Sequence, residues 1–285
     1  MSPESSNQQI CGFSTAGRIF FGWGATTVLR DVAREFGGRV FVCTDQNMVK
    51  AGVVEIVLRE LAEGKAEVKV FDGGQPEVDR HTIERAADVA QAYAPDVVIG
   101  LGGGSNLDLS KAVALLVKYP GPLSAYYGEN NIPGPITPVV AVPTTAGTGS
   151  EVSPVAVVAD PERAMKVGIA SRALIPKWAI VDPALTVSCP ASVTAHSGMD
   201  ALAHAIESFC AKLRTDSCRA YAQRKATTTR KTTRVRVRAD AGRCFAISSS
   251  PGHLTRLSYC TISPVQEVVM CGHHRVGRTH SLAQP

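Results

Sequence analysis

Three short segments of this sequence combine residue types that can hold a charged small molecule. Gly102-Gly103-Gly104-Ser105 places three residues without side chains in a row. Backbone N–H groups can then approach a pyrophosphate closely, and a helix opening there adds its positive end. The same residues also make an ordinary tight turn. They depart from the G-x-G-x-x-G fingerprint, because Gly100 and Gly102 fit it but Ser105 stands where the third glycine belongs. A second polar turn, Thr144-Thr145-Ala146-Gly147-Thr148-Gly149-Ser150, carries hydroxyls that can close over the same ligand or form a plain loop. Asp45 ends an apolar run, where a carboxylate can bond an adenosine ribose and repel a 2′-phosphate; a solvated turn aspartate reads equally well. Lys166 lies on a strand-like run and either faces such a ligand or is solvated.

The third segment is Ser197-Gly198-Met199-Asp200-Ala201-Leu202-Ala203-His204-Ala205-Ile206-Glu207. Asp200 and His204 are four residues apart, so on one helix they share a face and can hold one divalent metal. The competing reading is local. Ser197-x-x-Asp200 before an apolar run is also a capping box, with His204 as an ordinary helix histidine. His196 lies about 12 Å of helix rise from His204, too far to share one ion easily, and Gly198 is a candidate break between them.

These segments need elements to position them. Arg39–Thr44 is a short apolar, β-branched run, and it reads as a buried strand ended by Asp45. Val53–Leu61 repeats apolar positions at helical spacing. Glu67–Phe71 reads as a strand closed by Asp72-Gly73-Gly74, and Asp79–Tyr93 as an amphipathic helix with Asp79 as N-cap. Asp96–Leu101 predicts a strand, Gly102–Ser105 a turn and Asn106–Val117 a helix. Val139–Val142 predicts a fourth strand. Val155–Val158 and Lys166–Ala170 flank Asp160-Pro161 as a hairpin, and Trp178–Val181 is a last strand. Alternation of this kind argues for an α/β fold: a Rossmann-like, mainly parallel sheet with helices on both faces and ligands beyond the C-terminal strand ends. Ala191–Leu213 is alanine-rich and helical in period, as though an all-helical domain begins there. The expected divisions are residues 1–188, a dinucleotide-binding α/β domain; 189–211, the start of a helical metal-binding domain; and 212–285, an atypical basic tail expected to be disordered.

Charge supports that last division. The 285-residue chain has a formal net charge of +5. Residues 1–211 hold 16 Lys and Arg against 22 Asp and Glu, whereas residues 212–285 hold 14 against 3. All the excess positive charge therefore sits in one segment, and the overall balance is poor support for a nucleic-acid partner. The run Thr232-Thr233-Arg234-Val235-Arg236-Val237-Arg238 lacks interleaved aromatics; a nucleic-acid binder acting through this tail is the rival from another class. No run approaches the roughly 18 apolar residues of a membrane span. The polar N-terminus lacks the pattern of a secretion signal. Eight cysteines without a Cys-x-x-Cys pair read as reduced thiols in a cytoplasmic protein.

Taken together and in order, the three segments resemble the iron-containing (group III) alcohol dehydrogenase family. Gly102-Gly103-Gly104-Ser105-x-x-Asp108-x-x-Lys111 is similar to its pyrophosphate loop, Pro143–Glu151 to its cofactor-closing turn, and Gly198–Glu207 to the first half of its metal site. The resemblance covers about residues 10–211. It implies a dehydroquinate-synthase-like fold with the active site in a cleft between an α/β and a helical domain. It also implies NAD on the glycine turns, with Gly102, Gly103, Gly104, Ser105, Asp108, Thr144, Thr145 and Thr148 in contact, Asp45 on the adenosine ribose and Lys166 nearby. Fe²⁺ would sit on Asp200 and His204, although Zn²⁺ or another divalent ion would suit the same donors. The substrate class implied is a small alcohol or aldehyde; a homo-oligomer is possible for the complete family form. Hydroxyacid–oxoacid transhydrogenase is an alternative, as is maleylacetate reductase, against which Asp200 counts. The family completes its metal site with two later histidines in a pattern like His-x-x-x-His-x-x-Gly. His253, His273, His274 and His280 form no such pattern. The abrupt change near residue 212 reads as translation in a wrong frame, leaving the metal half incomplete and turnover impaired.

Overall fold

The computed structural model describes residues 14–210 and three short strand segments at 236–237, 246–248 and 255–256. The chain opens with β1 (Arg18–Phe21), a 3₁₀ turn (Ala25–Asp31) and α1 (Val32–Phe36). Then follow β2 (Arg39–Asp45), α2 (Gln46–Lys50), α3 (Val53–Glu63), β3 (Glu67–Gly74), α4 (Arg80–Tyr93), β4 (Val97–Gly102) and α5 (Gly104–Lys118). A two-residue strand β5 (Gly128–Glu129), β6 (Val139–Pro143), the hairpin β7 (Val155–Asp160) and β8 (Met165–Ala170), β9 (Trp178–Val181) and α6 (Ala191–Cys210) complete the main body. Beyond it, β10 (Arg236–Val237), β11 (Ala246–Ser248) and β12 (Thr255–Arg256) form a small antiparallel sheet. Otherwise the expectation for residues 212–285 falls outside the described residues. The tail histidines lie outside the described residues.

The main sheet has six strands in the order β1-β9-β6-β4-β2-β3, and every neighbouring pair is parallel. Its central strand β4 is buried at all six positions, as a strand covered on both faces must be. Alternate residues feed two cores. Phe41 and Cys43 of β2 and Val98 of β4 join α4 and α5 on one face. Val40 and Val42, with Ile99, Leu101 and Trp178, join α3 and the 3₁₀ turn on the other. Gly100 permits close approach of α5: a Cβ there would lie 2.4 Å from the Ser110 hydroxyl.

The order explains why Asp45 precedes the glycine turn in sequence. From β2 the chain winds outward to β3, then returns across β2 to β4 and continues through β6 to β9. The switch point of the sheet therefore lies between the C-terminal ends of β2 and β4, where open α/β sheets bind ligands. Asp45 ends one strand and Gly102 the other.

The sequence-based elements lie close to the observed ones, but the short elements α1, α2 and β5 were not anticipated, and other differences are informative. β3 continues through Asp72-Gly73-Gly74 because β2 pairs with it to the end. α5 begins at Gly104, two residues earlier than expected. α6 runs unbroken from Ala191 to Cys210, so Gly198 does not interrupt it, and Ser197 lies too deep in the helix for a capping box. Strand β1 was not anticipated, since its four residues Arg-Ile-Phe-Phe carry too little pattern. Asp79 does cap α4, accepting from the Thr82 amide at 2.7 Å. No described helix is long and apolar enough to cross a membrane.

Candidate functional site

The two polar turns meet face to face. Thr144 donates its amide to the Gly102 carbonyl at 3.0 Å, because β6 runs beside β4 to its last residue. From there the second turn folds over the first. A Cβ on Gly103 would stand 3.6 Å from the Thr145 side chain, and one on Gly104 2.8 Å from Thr148. Thr148 is fixed in turn by the Ser150 amide, which donates to its hydroxyl at 3.2 Å.

At the amino end of α5 no side chain caps the helix. First-turn N–H groups and the positive end of the helix dipole therefore face the space between the turns. Gly102 has φ of +137°, a conformation that side chains resist, and its Cβ would fall 2.2 Å from Asn106 Nδ2. A glycine turn of this kind lets a phosphate approach backbone amides, so the arrangement fits a dinucleotide pyrophosphate.

Asn106 was missed in the sequence and is the centre of the junction. It is 2% exposed and donates Nδ2 to the Asp45 carboxylate at 2.6 Å and to the Leu101 carbonyl at 3.1 Å. Asp45 is half-buried. Its Oδ1 caps α2, accepting from the amides of Asn47 (2.7 Å) and Met48 (3.1 Å). Asp45 is thus held rigidly at the switch point, with Asn106 joining the β2 and β4 ends. No sequence pattern distinguished Asn106 from any other residue in the first turn of a helix.

Ser105 accepts from the Glu77 amide at 3.2 Å, and Glu77 pairs with Lys166 at 2.7 Å. Lys166 therefore stands beside the mouth of α5, brought there by the hairpin. Asp108 is placed differently from the rest of its motif. The resemblance puts it with the pyrophosphate contacts, yet its side chain turns back into the protein. Its oxygens accept from the Ser150 hydroxyl and, at 3.0 Å, from the Val157 amide. Lys111, fully buried, lies 3.6 Å from it and donates to Ser150 Oγ (2.9 Å), the Ser153 carbonyl (3.2 Å) and the Val155 carbonyl (2.7 Å). The correction follows from helix geometry. Asp108 and Lys111 lie about one and two turns beyond Gly104 on the same α5 face, where the 150–157 segment covers that face in place of the open space at the helix end. Burial raises the pKa of Asp108 above the usual carboxylate range, against the pull of Lys111 and the Ser150 and Val157 donors, and burial also lowers that of Lys111. The pair is a strut that fixes the second turn over the first.

Helix α6 docks on the outer side of that second turn. A Cβ on Gly147 would lie 2.2 Å from the Ser197 carbonyl, so only glycine lets the helix sit this close. Thr144, Thr145, Ala146, Thr186, Cys189, Thr194 and Ser197 line a small pocket between them. Asp200 and His204 are less than two turns further along α6, with Oδ2 3.7 Å from Nδ1. Both are partly exposed, as donors to an ion would need to be. His196 is exposed, and no third His, Cys, Asp or Glu joins the pair among the described residues.

The sequence pattern of the family described as "Iron-containing alcohol dehydrogenase" matches residues 16–183. The chain belongs to the iron-containing alcohol dehydrogenase family. A sulfoacetaldehyde reductase from Bilophila wadsworthia (strain 3_1_6) is 38% identical over 200 residues, covering 69% of this chain and 51% of that protein. A 1,3-propanediol oxidoreductase crystal structure superposes with a TM-score of 0.74 at 32% identity, over 79% of this chain and 60% of the other. The sulfoacetaldehyde reductase from Bifidobacterium kashiwanohense, solved in complex with NAD⁺, gives a TM-score of 0.69 at 31% identity, over 78% and 59%. The chain spans about half the length of the curated relatives it matches. The family match ends before α6, so Asp200 and His204 lie beyond it.

Proposed function

We propose that residues 14–188 form the nucleotide-binding domain of an NAD-dependent alcohol or aldehyde oxidoreductase, with α6 beginning a helical metal-binding domain. The observation that carries this reading is the uncapped α5 terminus at the sheet's switch point, enclosed by two facing glycine-rich turns. In this assignment the amides of Gly103, Gly104 and Ser105 receive the pyrophosphate, and Gly102 supplies the turn that exposes them. Asp45 accepts from the adenosine ribose, while Thr144, Thr145 and Thr148 close the second side and Lys166 adds a positive charge. Asp108 belongs to this set only as a support. When bound, NAD supplies the hydride acceptor or donor for a small alcohol or aldehyde. The protein's own contribution is to hold it in one orientation against α6.

Asp200 and His204 are assigned as two donors to a divalent metal, Fe²⁺ in keeping with the family. The described residues provide two donors and no third, which is too few to fix a geometry. No step is therefore assigned to the ion. Titration of the full chain with NADH, followed by energy transfer from protein to nicotinamide fluorescence, tests the reading. Saturable binding in the micromolar range is expected; a flat titration with both NADH and NADPH overturns it.

A further inference from the structure

We propose that Glu77 is a positioning residue of the dinucleotide site, holding Lys166 in reserve and orienting Ser105 until the pyrophosphate arrives. The inference rests on the dinucleotide reading above and goes beyond it, since nothing in the sequence marked Glu77.

Three observations converge on this residue. First, Glu77 adopts φ of +57°, a left-handed conformation uncommon outside glycine and asparagine. That conformation sits between the end of β3 and the start of α4, and it turns the Glu77 amide toward α5. Second, the amide donates to Ser105 Oγ at 3.2 Å. With one lone pair so occupied, the Ser105 hydroxyl keeps its own proton to donate. Third, the Glu77 carboxylate receives Lys166 Nζ at 2.7 Å, across 89 residues of sequence. The side chains of Glu77 and Lys166 are 68% and 36% exposed, so this pair is wet and readily opened.

The consequence is an exchange of partners. Without ligand, Lys166 is neutralised by Glu77. A pyrophosphate at the α5 terminus carries more charge than one carboxylate and competes for the same ammonium. Opening the pair costs binding energy, so Glu77 weakens the dinucleotide's hold while keeping Lys166 close to where it is needed.

The test is a four-way titration of the full chain with NADH: wild type, Glu77→Gln, Lys166→Met and the double variant, at low and at physiological salt. Glu77→Gln frees Lys166 and is expected to tighten NADH by about 2- to 5-fold at low salt, the range an exposed pair spans. Lys166→Met weakens it by a similar factor, and in that background Glu77→Gln loses its gain. Raising salt shrinks the differences, because exposed charges are screened over about 10 Å at 0.1 M. The proposal is overturned if Glu77→Gln leaves affinity unchanged or weakened, or gives the same gain without Lys166. Should Glu77→Gln fail to fold, Glu77→Asn, whose side chain tolerates left-handed backbone, takes its place with the same expected outcome. A flat titration in all four proteins overturns the dinucleotide reading itself, a result distinct from binding that ignores position 77.

Discussion

Asn106 and Gly103 show how differently two neighbours on one turn respond to change. Asn106 is buried and satisfies both a strand-end carbonyl and the Asp45 carboxylate. Its replacement by leucine leaves those acceptors unpaired, with an expected cost of about 2–4 kcal/mol in urea unfolding. Gly103 has φ of −76° and room for a methyl group, so Gly103→Ala should fold normally. That methyl occupies the approach to the amides, and NADH affinity is expected to fall about 10-fold or more with little change in melting temperature. Equal losses of binding and stability would contradict the separation. On the proposed metal role, Asp200→Ala and His204→Ala should lower iron retained after dialysis while NADH affinity stays within about twofold, since both residues lie on α6, apart from the glycine turn.

At the scale of elements, the Asp108–Lys111 strut ties α5 to the start of the hairpin. Lys111→Met strands a buried carboxylate and is expected to cost about 3–5 kcal/mol, measured by denaturant unfolding. A paired Asp108→Asn, Lys111→Met change should recover a large part of that loss, because no charge then remains buried alone. If the double variant is no better than the single, the loss comes from packing instead. A second anchor joins the β9 end to the loop after β1. Asp182, 2% exposed, accepts from the amides of Gly24 (3.1 Å), Thr26 (3.1 Å) and Ala184 (3.0 Å) and from the Thr26 hydroxyl (3.0 Å). Burial by itself would raise its pKa, but these donors hold it below the ordinary carboxylate value. The sign follows from linkage: a depressed folded-state pKa contributes stability above the unfolded value of about 3.9, lost as pH falls through the folded pKa. Asp182→Asn should therefore lower stability at neutral pH and flatten its acid limb below about pH 4. An unchanged acid limb would assign that dependence to other carboxylates.

Across the whole molecule, two cores lie on opposite faces of one parallel sheet, and both turns emerge at one edge. The site is a product of that arrangement, with α6 packed on the outer turn through Gly147. Gly147→Ala should displace α6 without unfolding the sheet, so an NADH-binding protein with altered protease sensitivity near residues 190–200 is expected. Loss of NADH binding together with global unfolding would show that the helix and the sheet form one cooperative unit.

The alternation of buried runs with amphipathic stretches was enough to determine an α/β fold, because burial on both faces leaves its mark in consecutive residues. The glycine turns and the Asp200–His204 spacing could be read for the same reason, since each lies within one segment. Asn106, Glu77 and Asp182 were not legible as parts of a site, since each acts on partners 28 to 158 residues distant or on a strand end set by sheet order. Strand order decided that Asp45 and Gly102 face one crevice although 57 residues separate them. Depth along α5 decided that Asp108 serves as a strut: one turn in from the glycines, its carboxylate meets the 150–157 segment and not the open helix end. Local pattern fixes what an element is, whereas its neighbours are chosen by packing, and these residues take their roles from their neighbours.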